Sequence, residues 1–187
     1  MKKRTIKEYD VQGKRVLLRV DFNVPVDENG EIIDDTKIQL SLETIKYLIE
    51  EKAKVIITSH LGRPGGRYIE SLSLRPVCER LQELIHTKVQ FSNSLVSRET
   101  EEMIEEMLPG EAIMLENTRF ELDEEKNSSS LAKKLASFAD IYVNDAFASS
   151  HRKHASVVGV AKYLETYAGF RMAEEVEKLS SLFERIE

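Results

Sequence analysis

A chain of 187 residues, 41% of them hydrophobic, is long enough to bury one sizeable core. Its net charge of −6 gives no global reason to bind nucleic acid or an anionic membrane surface, and no apolar run is long enough to span a bilayer. A single cysteine excludes an internal disulfide framework and fits a reducing cytoplasm, and the basic residues at 2–4 are followed by no apolar signal core.

Strand and helix patterns alternate from the start. Val16, Leu17, Leu18 and Val20 form a nearly continuous apolar run, the pattern of a strand buried on both faces, and it stops at Asp21, Phe22 and Asn23 before Pro25. Residues 27–30 read as a turn. Asp34, Asp35 or Thr36 caps a helix whose buried face is Ile38, Leu42, Ile45, Leu48 and Ile49. A second buried strand at 54–58 runs into Ser59, His60 and a Gly-rich loop. Leu74, Val77, Leu81, Leu84 and Ile85 predict the next helix, 89–91 a short strand, and Met103, Ile104, Met107 and Leu108 a helix stopped by Pro109 and Gly110. A strand at 112–115 leads into 116–120. Asn127 or Ser128 caps a helix carrying Leu131, Leu135 and Phe138, and a strand at 140–143 leads into Asn144 and Asp145. A short helix at 157–164 and a long one carrying Met172, Val176, Leu179, Leu182, Phe183 and Ile186 complete the chain. This β-α-β alternation predicts an α/β fold, a doubly wound three-layer α/β/α sandwich with a mostly parallel central sheet and right-handed crossovers.

In such a sheet the carboxyl ends of the strands share one edge, where ligands sit. Those ends carry Asp21 and Asn23, then His60 and Arg63, then Arg119, then Asp145, His151 and Arg152. One arginine after one strand is ordinarily a solvated loop residue. Cations after several separate strands instead point to a site for a small, multiply charged anion, since arginine grips phosphate and carboxylate oxygens in a planar fork. Gly62, Gly65 and Gly66 match no nucleotide-phosphate loop. Cys78 reads as inert packing, His86 and His154 as surface residues, and the acidic run 123–125 as a solvated face. No His, Cys or carboxylate cluster has metal-ligand spacing, so no metal is expected, and no Ser-His-Asp set stands out.

The segments R-V-D-F-N-V-P (19–25), S-H-L-G-R-P (59–64), E-N-T-R-F (116–120) and N-D-A-F-x-x-x-H-R-x-H (144–154) resemble phosphoglycerate kinase, in that family's order and spacing. The triplets at 34–36, 125–127 and 168–170 add to the likeness. The resemblance covers essentially the whole chain but only the amino-terminal half of the family's length. It implies a Rossmann-like 3-phosphoglycerate-binding domain over 1–172 and the start of an interdomain helix over 173–187, with the nucleotide domain that binds Mg-ADP or Mg-ATP absent. It also implies that Asp21, Phe22, Asn23, Lys37, His60, Leu61, Gly62, Arg63, Arg119 and Arg152 contact 3-phosphoglycerate or 1,3-bisphosphoglycerate, with Lys37 and Arg152 in the catalytic roles. The complementary carboxy-terminal domain is the implied protein partner, and the cytoplasm the implied location.

The chain departs from the family at a few positions. Lys37-Ile-Gln39 stands where the family reads R-I-R; Lys37 keeps the charge but loses the planar fork. Glu43 stands for a usual proline, Glu121 for a usual histidine, Ala148 for a usual glycine and Arg171 for an apolar residue. Ala148 costs stability if that glycine has positive φ. The first functional reading is the substrate-binding half of a kinase that binds weakly and does not turn over alone. The second is a catalytically inert folding or assembly module of the same fold, and the third a general anion-binding domain. Exposure of the apolar stripe on the last helix predicts self-association.

Overall fold

In the computed structural model, which describes residues 4–184, six strands form one sheet in the order β3-β4-β2-β1-β5-β6. They are β1 (Arg15–Arg19), β2 (Lys54–Thr58), β3 (Val89–Ser92), β4 (Ala112–Leu115), β5 (Ile141–Asn144) and β6 (Glu165–Ala168). Every pairing among them is parallel. The side-chain period of two divides each central strand between two cores. Val16, Leu18, Val55, Ile57, Met114, Ile141 and Val143 face one layer, with Ile45, Leu48 and Leu81. Leu17, Ile56, Ile113, Leu115 and Tyr142 face the other, with Ile104, Leu131 and Leu135. Residues buried on alternate faces explain why these strands read as continuous apolar runs.

The helices are α1 (Thr36–Leu40), α2 (Leu42–Glu50), α3 (Arg75–Ile85), α4 (Arg98–Glu105), α5 (Leu122–Glu125), α6 (Ser129–Ser137) and α7 (Phe170–Glu184). The single helix expected over 36–49 is two. They break at Ser41, whose hydroxyl reaches back to the Lys37 carbonyl at 3.4 Å, a bond that bends helices. The stop expected at Pro109 comes sooner: α4 ends at Glu105, with Met107 buried beyond it and Leu108 exposed. The short helix expected over 157–164 is a π turn at Ala155–Gly159 and a 3-10 turn at Val160–Lys162. β6 follows, an edge strand with Tyr167 as its one buried residue, too short and polar to show a period.

The last helix begins at Phe170, three residues before the expected boundary. Its first amides are capped from elsewhere: Phe170 N–H donates to Thr44 Oγ1 at 3.0 Å, and Met172 N–H to Asp145 Oδ1 at 3.0 Å. Local sequence carries no sign of such tertiary caps. Met172 and Val176 are half-buried and Leu179 is exposed; the side chains of Leu182 and Phe183, and Ile186, lie outside the described residues. No described helix is long and apolar enough to cross a membrane.

Candidate functional site

Parallel register brings the strand ends together: Arg19 pairs with Thr58 on one side and Asn144 on the other. The chain after β1 is then tied to the chain after β2. Ser59 Oγ donates to the Val20 carbonyl at 3.0 Å and accepts from Phe22 N–H at 2.9 Å. Asn117, fully buried after β4, is the main organiser. Its Nδ2 donates to the Leu61 carbonyl (2.7 Å) and the Leu72 carbonyl (2.9 Å), and its Oδ1 accepts from the amides of Leu61 (3.2 Å) and Arg119 (3.1 Å). One amide side chain therefore fixes both the loop after β2 and the arginine that faces it.

Gly62 lies between two of the expected site residues. Asn23 Oδ1 accepts from its N–H at 2.8 Å, and Arg119 Nη1 donates to its carbonyl at 2.6 Å. Its φ is +63°, and a Cβ there would lie 2.8 Å from Leu72 Cδ2, so both the conformation and the space call for glycine. Arg119 is only 2% exposed. Its Nε lies 3.3 Å from Glu125 Oε1 without hydrogen-bond alignment, and Nη2 has no hydrogen-bond partner among the described residues. A buried guanidinium with an unsatisfied donor is costly.

His60 accepts at Nδ1 from Arg19 Nη2, 3.0 Å away. Burial, then Arg19, Arg119, Arg152 and Lys37, push its pKa down to about 2, so the ring is neutral. Burial, then Arg152, lowers the Arg119 pKa as well. Arg152 is half-buried and Arg63 exposed, and neither side chain has a hydrogen bond among the described residues. His60, Arg119 and Arg152 thus share one electrostatic neighbourhood, with Arg63 beside it in the loop that carries His60 and Gly62.

Asp21 and Lys37 line an adjoining cavity with Asp145, Phe147, Arg171 and Glu175. Lys37 Nζ is 3.3 Å from Asp21 Oδ2, and Asp21 Oδ1 accepts from Asn23 N–H at 3.1 Å. Arg171 is paired along its own helix with Glu174 at 3.1 Å and with Glu175. Phe22 and Leu61 turn their side chains into the core. Their amides are already used by Ser59 and Asn117, so they shape the site from behind. Ala148 does not have positive φ, so the strain anticipated there is absent.

The acidic run 123–125 is not the uniform solvated face expected of it. Glu124 is fully buried and accepts from the hydroxyl and amide of Ser156 at 2.5 and 2.9 Å, while Leu122 is exposed. His154 is half-buried, its Nδ1 3.9 Å from Glu124 Oε1. Arg19, Asn117, Glu124 and Ser156 are the structural residues that pattern reading passes over. Arg19 had a signal, a charged residue at the inward period of a buried strand. Cys78 is buried and its thiol is pushed up to about 12 by burial, as inert packing requires. Among the described residues no group of three His, Cys, Asp or Glu could hold a metal.

Fold and site together define a parallel α/β domain of Rossmann-like type that gathers His60, Arg63, Arg119 and Arg152 at the carboxyl edge of its sheet. The phosphoglycerate kinase family model matches residues 6–187, and the chain belongs to that family, corresponding to its amino-terminal domain. A phosphoglycerate kinase of Coprothermobacter proteolyticus is 48% identical over 184 residues, 98% of this chain and 47% of that protein. Among solved structures, phosphoglycerate kinase from Coxiella burnetii superposes with a TM-score of 0.85 at 40% identity, over 96% of this chain and 44% of the other. The Pyrococcus horikoshii phosphoglycerate kinase gives 0.87 at 37% identity, over 95% and 45%. The chain thus spans just under half the length of these relatives.

Proposed function

We propose that this chain is the substrate half of phosphoglycerate kinase and holds 3-phosphoglycerate, or 1,3-bisphosphoglycerate, at its carboxyl edge. The observation that carries the reading is Arg119: a buried guanidinium whose Nη2 has no hydrogen bond among the described residues, anchored through Nη1 on the Gly62 carbonyl of the loop that Asn23 also holds. His60, Arg63, Arg119 and Arg152 take the 3-phosphate. Asp21 and Asn23 take the hydroxyl and carboxyl end. Lys37 and Arg152 neutralise the phosphoryl group in transit between the 1-carboxyl and ADP. Transfer of this kind is catalysed mostly by positioning and charge neutralisation, and these residues supply both for one of the two reactants. On this reading the metal nucleotide belongs to the complementary domain, as the family resemblance implies. The chain alone therefore binds without turning over. The half-buried stripe of α7 is covered by that second domain, and the chain alone self-associates through it.

Titration with 3-phosphoglycerate, against 2-phosphoglycerate and inorganic phosphate at low salt, tests the reading. Saturable binding that prefers 3-phosphoglycerate is expected, near a millimolar constant, about −4 kcal/mol. Arg119→Met should abolish binding and, because it also frees the Gly62 carbonyl that Nη1 now satisfies, cost about 1–3 kcal/mol of stability. Equal affinity for all three anions, or unchanged affinity in Arg119→Met, overturns it. The Lys37–Asp21 pair favours a second reading, an inert assembly module with that ammonium neutralised; absence of binding together with recovery of a fold by the complementary half would establish it.

A further inference from the structure

The site rests on a buried polar chain that touches none of the anion-facing arginines. His60 Nδ1 lies 3.0 Å from Arg19 Nη2. A guanidinium offers only N–H donors, so Nδ1 accepts, and the one proton of the neutral ring is on Nε2. Nε2 has no partner among the described residues. Arg19, only 1% exposed, donates from Nη1 to the Val20 carbonyl and from Nε to Ser156 Oγ at 3.1 Å. The Ser156 hydroxyl and amide both donate to Glu124, at 2.5 and 2.9 Å. An unbroken line of hydrogen bonds thus runs from α5, through residue 156 and the end of β1, to the loop after β2. Glu124 and Arg19 are both buried; burial raises the Glu124 pKa and the Arg19 guanidinium opposes that rise, so each eases the burial of the other.

We propose that Glu124 and Ser156 are positioning residues which, through Arg19, fix His60 in the Nε2-protonated tautomer, so that the ring presents a donor to the bound anion and never a lone pair. An imidazole free to choose its tautomer would direct an acceptor at a phosphate oxygen part of the time, and that contact is repulsive. The low pKa of the ring agrees with a neutral donor. The inference rests on the anion-binding reading above, but its first readout needs no ligand, so the two fail separately.

The test is long-range 15N–1H NMR of the His60 ring in the ligand-free chain at neutral pH. The expected result is a single Nε2–H tautomer; an Nδ1–H tautomer or an imidazolium in the unaltered chain overturns the proposal without any variant. Ser156→Ala and Glu124→Gln should each move the ring nitrogens toward an averaged pattern and weaken 3-phosphoglycerate binding roughly tenfold, the scale of one lost charge-assisted hydrogen bond. Ser156→Thr, which keeps the hydroxyl, should restore both. If Glu124→Gln does not fold, the serine pair decides. A fixed tautomer and unchanged affinity in Ser156→Ala, with only a lower melting temperature, reduces the chain to a structural role and overturns the proposal.

Discussion

His60 couples the site to pH at the scale of one residue. Its native pKa of about 2 lies far below the ordinary 6.5, so the unfolded chain binds a proton that the native ring refuses. Stability from this residue is complete above the ordinary value and is lost as pH falls below about 6.5, by about 1.4 kcal/mol per pH unit. Glu124 and Asp145 act in the opposite sense. Burial raises both, so the native state gains on protonation as pH falls through their raised values. His60→Gln should therefore flatten the decline of denaturant-measured stability between pH 6 and pH 4; parallel curves for variant and parent would refute the burial account. At this scale the sequence showed which cations stand at the strand ends. It did not show what Arg19 bonds to or that Glu124 is not solvated, because both depend on which neighbours the fold brings to about 3 Å.

Among the elements, α7 depends most on distant parts of the chain. Asp145 at the end of β5 caps it, Thr44 on α2 accepts from its first amide, and Gly169 lets the carboxylate in: a Cβ on Gly169 would lie 2.3 Å from Asp145 Oδ1. Gly169→Ala should destabilise the protein by about 1–3 kcal/mol, the cost of overpacking, and speed hydrogen exchange at the Phe170 and Met172 amides. Unchanged exchange there would show that the cap tolerates displacement. That the chain ends in a long helix was legible, and its start was not, since the cap lies 27 residues away in sequence. β6 was missed for a related reason: it is a four-residue edge strand defined by its pairing with β5 rather than by a period of its own.

For the molecule as a whole, an anion that binds only the folded state must stabilise it by mass action. At 100 times its dissociation constant, 3-phosphoglycerate should add about 2.7 kcal/mol. For a domain of this size that is a rise in melting temperature of roughly 5–10 °C. 2-Phosphoglycerate should give less, and added salt should shrink the effect because the attraction is screened. A thermal-shift series in which both isomers perform alike would indicate a general anion site instead.

The alternating apolar runs, with polar residues placed after them, determined the α/β class, the strands β1 to β5 and the gathering of cations at one edge, because period and burial are written locally. The four motifs determined the family. Only the tertiary structure decided the strand order, the break at Ser41, the start of α7 and the buried chain from Glu124 to His60. Each of these is a contact between segments far apart in sequence, and its free energy exists only once the sheet has brought them together.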